Sequence, residues 1–276
     1  MEKMSRLKKA LEKARKERGD SAVDPVNRFD PAPPPGDGVL SVVPQREYRP
    51  FKPEYSCTQV VPCDPDALRS NRVVAVCTED EANKMKILRT QIMNLIMEQG
   101  KNTFLVTSAN PGEGKTLTSI NLAISFSHQI NKTVLLVDTD IRKPTIHKFF
   151  GLGDRPGLSD YLTGKARIQD ILINPGLDRF VILPGGKPLT NSTELLASPR
   201  MAFLLDEMKQ RYENRFIIFD SAPVLTSADP MVLSNHVDGI LIVVEAEKTK
   251  REDVKKVLEV MRDKPVIGTV LNKLIG

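Results

Sequence analysis

From residue 79 onward, apolar positions fall into two alternating rhythms. Short runs with few polar breaks read as strands buried on both faces: Thr103 to Thr107, Thr133 to Asp138, Arg179 to Leu183, Arg215 to Asp220, Gly239 to Val244 and Val266 to Leu271. Between them the spacing lengthens to three and four. Ala82, Met85, Leu88, Ile92, Leu95 and Ile96 share one side of a helix predicted over Glu79 to Gln99, and Ile120, Ala123, Ile124 and Ser127 share one over Leu117 to Gln129. Further helices are predicted at Thr193 to Tyr212, Pro230 to Asn235 and Lys250 to Met261. Uniformly apolar strands alternating with helices mean an α/β domain, a mostly parallel sheet with helices on both faces. Ligands on such sheets sit beyond the carboxyl ends of the strands, where Ser108, Asp138 and Asp220 fall.

The first quarter of the chain follows neither rhythm. Met4, Leu7, Leu11 and Ala14 give residues 4–18 a thin apolar stripe among charges, a short basic helix suited to docking on an anionic membrane face or a partner protein. From residue 20 to 66 the chain holds ten of its twenty prolines, which predicts a flexible, disordered linker without a core. The expected organisation is therefore a basic amphipathic helix at 1–19, a Pro-rich linker at 20–66 and a catalytic or binding domain at 67–276.

Charge narrows the function classes once it is located. The net +5 is supplied by residues 1–19, with eight basic residues against three acidic ones, and residues 20–276 are balanced. A basic field confined to one tip gives no footprint for nucleic acid. No apolar run approaches the roughly 18–20 residues of a membrane span, and the start of the chain lacks the apolar centre of a secretion signal. Cys57, Cys63 and Cys77 have neither metal-ligand spacing nor an even count, which points to a reducing cytoplasm.

The chemistry concentrates where the first apolar strand stops. Ser108-Ala109-Asn110-Pro111-Gly112-Glu113-Gly114-Lys115-Thr116 joins that strand to a helix, so unpaired backbone N–H groups and a positive helix end surround one point. Lys115 would reach the terminal phosphates of a nucleotide, and the Thr116 hydroxyl would hold Mg²⁺. Ala109 stands where the G-x-x-x-x-G-K-[ST] pattern has its first glycine, while Gly112 and Gly114 still allow close backbone approach.

Three carboxylates end neighbouring apolar runs. Asp138 and Asp140 share a short loop with Arg142, and Asp220 finishes another strand. Singly, each is an ordinary N-cap or turn residue. Together beside a phosphate loop they fit the placement of Mg²⁺ and of a nucleophile in phosphoryl transfer.

These segments resemble the bacterial tyrosine kinases of capsule and exopolysaccharide synthesis, P-loop kinases related to partition-type ATPases. The likeness covers about residues 79–273: Ser108 to Thr116 looks like the family's Walker A, Val134 to Pro144 with Asp-x-Asp-x-Arg-x-Pro like its Walker A′, and Phe216 to Pro223 like its Walker B. Gly157 to Gly164, Leu183 to Gly186 and Glu194 to Leu196 match its linking elements. The resemblance implies ATP and Mg²⁺ as cofactors and Lys115, Asp138 and Asp140 as catalytic residues, with Asp138 acting on the tyrosine hydroxyl. It implies nucleotide contacts from Pro111, Gly112, Glu113, Gly114, Lys115, Thr116, Leu117, Arg142 and Asn272, and metal contacts from Thr116, Asp138, Asp140 and Asp220. It also implies protein tyrosine substrates, a homo-oligomer, a transmembrane polysaccharide co-polymerase as activator, and a cytoplasmic site at the inner face of the plasma membrane reached through that partner.

The chain departs from the family pattern in three places. It ends at Gly276 without a tyrosine cluster, so tail autophosphorylation is not expected; Tyr48 and Tyr55 are the candidate exposed acceptors, and Tyr161 and Tyr212 are expected to be packed. The Glu-x-x-Arg-x-x-Arg of the family's rings reads Asn83, Lys86 and Arg89. Ala222 stands where a second proline is usual. Two other readings compete: a partition-type ATPase without kinase activity, which would carry a lysine at Asn110, and a regulator that binds ATP without turnover.

Overall fold

The computed structural model describes residues 58–73, 79–96, 101–129, 131–210 and 214–274. The predicted helix at 4–18, most of the linker at 20–66, and Tyr48, Tyr55, Tyr212, Cys57 and Cys77 lie outside the described residues.

The described strands are β1 (Gln59–Val60), β2 (Thr103–Ser108), β3 (Thr133–Asp138), β4 (Ile173–Asn174), β5 (Phe180–Leu183), β6 (Arg215–Asp220), β7 (Gly239–Glu245) and β8 (Val266–Asn272). They form one sheet in the order β1-β4-β5-β3-β6-β2-β7-β8. Every pairing in it is parallel except β4 with β5, as the unbroken apolar runs require of strands covered on both faces.

Alternation along each strand splits the core into two layers. Leu105, Leu135, Val137, Ile217, Phe219 and Ile242 face one side, against Leu158, Leu196, Met201, Leu204 and Val257. Phe104, Val106, Val134, Leu136, Phe216 and Ile218 face the other, against Leu68, Ile92, Ile120 and Ile124. Each such side chain, once fully buried, contributes about 1.5–3 kcal/mol, which holds the strand ends in fixed relation.

Short helices supply the outer layers: α1 (Pro65–Ser70), α2 (Glu79–Ile96), α3 (Lys115–Ser127), α4 (Ile146–Phe149), α5 (Leu158–Leu162), α6 (Ile168–Ile171), α7 (Ser192–Leu196), α8 (Pro199–Gln210), α9 (Asp229–Leu233) and α10 (Arg251–Val260). Among these, none is long and apolar enough to cross a membrane.

Two expectations change. The single helix over Thr193 to Tyr212 is two, because Pro199 cannot continue α7 and instead opens α8. The linker does not extend to residue 66. Val61 N and Cys63 N donate to the carbonyls of Asn174 and Pro175 at 2.9 Å each, so Pro62 falls where no donor is needed. Pro65 then starts α1, whose first turn is capped by Asp64 accepting from Asp66 N at 2.9 Å. Arg89, the position at which the ring motif keeps its arginine, is engaged within the chain: its Nη1 donates to the Ser125 carbonyl at 2.5 Å and ties α2 to α3.

Candidate active site

Strand β2 passes into α3 through the loop from Ala109 to Gly114. Gly114 is the N-cap, at φ 94°, and no side chain caps the helix, which leaves first-turn N–H groups for a ligand. A Cβ on Gly114 would lie 2.0 Å from the Asn272 side-chain nitrogen, so only glycine fits. Asn272 itself donates from Nδ2 to the Glu113 carbonyl at 2.9 Å, which pins the end of β8 to the loop.

Glu113, whose backbone N–H belongs to the loop, turns its side chain inward. It is buried, Oε2 accepts from Ala109 N at 2.8 Å, and Oε1 accepts from Thr249 Oγ1 at 2.6 Å. A carboxylate satisfied by one N–H and one hydroxyl holds the loop closed across its own neck. The Leu117 side chain packs on the core, while its N–H belongs to the first turn of α3.

Below the loop, the Lys115 ammonium lies 3.0 Å from Asp140 Oδ2 and 3.9 Å from Asp220 Oδ2. Burial lowers its pKa, but Asp220 and Asp140 outweigh burial and the net direction is up, so it stays charged. Asp220 is fully buried; Oδ2 accepts from Thr116 Oγ1 at 2.7 Å and Oδ1 from Ser119 Oγ at 3.0 Å. Burial raises its pKa against the pull of Lys115 and the two hydroxyls.

Asp138 is registered beside Asp220 on β3 and is also fully buried. Its Oδ2 accepts from Thr145 N at 2.9 Å and Ile146 N at 3.0 Å, whereas Oδ1 has no hydrogen-bond partner among the described residues. Burial, then the neighbouring Asp220, push its carboxyl from 3.8 up to about 8, against the two N–H groups and Lys115. A carboxylate with one oxygen anchored and the other unspent is suited to take a proton.

Pro111, Gly112, Lys115, Thr116, Asp140 and Arg142 line one open cavity of about 480 Å³. Thr226 and Ser227 also line it and had no signal in the sequence. Arg142 Nε donates to the buried Ser192 Oγ at 2.7 Å, an orienting contact that could be read only from the fold. Among the described residues no group of three or more acidic, His or Cys side chains could hold a metal ion. The three aspartates differ in what they touch: two N–H groups take Asp138 Oδ2, Lys115 takes Asp140, and Thr116 and Ser119 take Asp220. Thr116 and Asp220 remain a close pair of hard oxygen donors, which fits Mg²⁺, an ion that uses one or two protein oxygens and completes its shell with phosphates and water.

A family described as an AAA domain matches residues 101–270. The tyrosine-protein kinase YwqD of Bacillus subtilis is 34% identical over 219 residues, spanning 76% of this chain and 89% of that protein. The chain belongs to the bacterial tyrosine kinases. CpsD of Streptococcus agalactiae, also a tyrosine-protein kinase, is 32% identical over 199 residues, covering 70% of this kinase and 84% of the relative. The crystal structure of the chimerical protein CapA2B2 superposes with a TM-score of 0.69 at 28% identity, over 79% of this kinase and 94% of that chain. The cell-division ATPase MinD of Pyrococcus furiosus shares the fold, with a TM-score of 0.52 at 22% identity over 62% and 71% of the two chains.

Proposed function

We propose that this kinase transfers the γ-phosphate of ATP to tyrosine of a protein substrate and so regulates capsule or exopolysaccharide polymerisation or export. The observation that carries the reading is the meeting of Lys115, Thr116, Asp220 and the half-anchored Asp138 beneath one phosphate loop. The Lys115 ammonium exchanges Asp140 for the β- and γ-phosphates. The Thr116 hydroxyl and Asp220 would hold the nucleotide's Mg²⁺, which would neutralise phosphate charge. Asp138 Oδ1 accepts the tyrosine proton as the phenolic oxygen bonds to the γ-phosphorus and the bond to the β-phosphate oxygen breaks, releasing ADP. Arg142, held by Ser192, steadies the phosphates from the open side, and Asn272 supports the loop near the base.

A transmembrane co-polymerase that completes the site, and a position at the membrane's inner face through that partner, complete the proposal. The regulatory-ATPase reading has less support. The position that would carry its lysine is Asn110, whose Nδ2 instead donates to Asp253 Oδ2 at 3.2 Å. The test is incubation with Mg²⁺ and γ-labelled ATP, with tyrosine peptides and with the cytoplasmic part of the activator, followed by phosphoamino-acid analysis. Label on tyrosine is expected. Nucleotide hydrolysis with no phosphotyrosine on any acceptor gives the regulatory ATPase instead.

A further inference from the structure

Beside the nucleotide cavity lies a second concavity of about 520 Å³. The two share a wall, the segment 143–148. Lys143 and Thr145 face the nucleotide side, while Pro144, His147 and Lys148 line the groove. Asp138 is held under this wall by the N–H groups of Thr145 and Ile146. Sheet order puts the groove on the side away from the phosphate loop, since β5 lies next to β3 and the chain after β5 supplies Gly186 and Lys187 to its lining. The approach is close: a Cβ on Gly185 would meet Pro144 Cβ at 2.6 Å and Asp138 Cγ at 3.2 Å. A peptide presenting a tyrosine to Asp138 from this side must lay its neighbouring residues in the groove.

We infer that this groove selects acceptor tyrosines flanked by acidic residues, with Lys148, Arg155 and Lys187 as the residues that read them. The inference rests on the kinase reading above. The Arg155 guanidinium is fixed by two hydrogen bonds to the Leu152 carbonyl, at 3.0 and 2.7 Å, and Lys148 and Lys187 line the groove as exposed residues. Two carboxylates also line the groove, against three cationic side chains, so its lining keeps a net positive charge. Asp160 is buried, its Oδ2 accepting from Gly157 N at 3.0 Å, and the Asp154 side chain stands fully in solvent, 3.7 Å from His147 Nε2. Cationic walls beside a partly enclosed cavity favour carboxylates and repel ammonium groups, an effect on capture that salt weakens.

The full chain is assayed with its activator fragment on two synthetic tyrosine peptides of equal length, one flanked by glutamates and one by lysines. The Glu-flanked peptide is expected to have about tenfold higher kcat/KM at low salt, mainly through KM, with the advantage shrinking as salt is added. Lys148→Glu/Lys187→Glu should reverse the preference and leave unstimulated ATP hydrolysis unchanged. Equal labelling of both peptides by the wild type, or a double variant with unaltered preference, overturns the inference and leaves the kinase reading intact. ATP turnover with neither peptide labelled removes both.

Discussion

The Lys115 ammonium sits 3.0 Å from Asp140 Oδ2, an ion pair formed in the space that nucleotide phosphates must enter. Both side chains are largely enclosed, so the pair is a ready-made competitor for the γ-phosphate. Its removal from either end has opposite consequences for binding.

Lys115→Met should abolish tyrosine labelling, by about 10²-fold or more, and weaken ATP binding, since it removes the cation that meets the transferred group. Asp140→Asn should tighten nucleotide binding a few-fold while lowering transfer. Titration calorimetry with Mg-ADP and quantified phosphotyrosine separate the two effects.

Asp138 predicts a pH dependence. Burial, then Asp220, raise its carboxyl from 3.8 to about 8, so the fold favours the neutral acid. Its stabilising contribution is complete below the ordinary carboxylate range and is lost as pH rises toward 8. Asp138→Asn keeps the shape without the charge. Thermal melts of the nucleotide-free variant should match the wild type near pH 4, exceed it near pH 8, and accompany loss of phosphotyrosine formation at every pH.

The loop clamp gives a third expectation. Removing the Glu113 carboxylate leaves the buried Ala109 N without its acceptor and the Thr249 hydroxyl with only the bond it accepts from Glu245 N, and an unsatisfied buried donor costs about 1–3 kcal/mol. Glu113→Ala should lower the melting temperature and weaken ATP binding. Thr249→Val removes one of the two bonds to Glu113 together with the acceptor of Glu245 N, and should weaken ATP binding by less, since the bond from Ala109 N to Glu113 remains. Chemical denaturation and nucleotide affinity measure both.

Gly114→Ala should be far more damaging than Gly112→Ala. Both positions have positive φ, but a Cβ at 114 strikes the Asn272 amide whereas one at 112 meets nothing within 4 Å. The second change carries only the left-handed backbone cost of about 1–2 kcal/mol. ATP affinity of the two variants checks the difference.

What was legible in the sequence follows from the range of the interactions. Strands β2, β3, β6, β7 and β8 are apolar runs that announce themselves, and the phosphate loop is local, so Lys115, Thr116, Asp138 and Asp220 could be named before any coordinates. Pro199 marked the break between α7 and α8 in plain view, but the apolar spacing on either side of it reads as continuous. β1 and β4 are two residues each, too short to have a period, and Val61 shows its partner only once Asn174 is beside it. The clamping role of the Glu113 side chain could not be read because its partner Thr249 is 136 positions away. Arg142 and Ser192, and the split duties of the three aspartates, depend likewise on strands brought side by side.

The most direct test is a crystal structure of this kinase with Mg²⁺ and a non-hydrolysable ATP analogue. The account predicts the Lys115 ammonium moved from Asp140 onto the β- and γ-phosphates, the ion between Thr116 and the water shell of Asp220, and Asp138 Oδ1 facing the γ-phosphate's open side. Triphosphate bound elsewhere, with the Lys115–Asp140 pair intact, would contradict it.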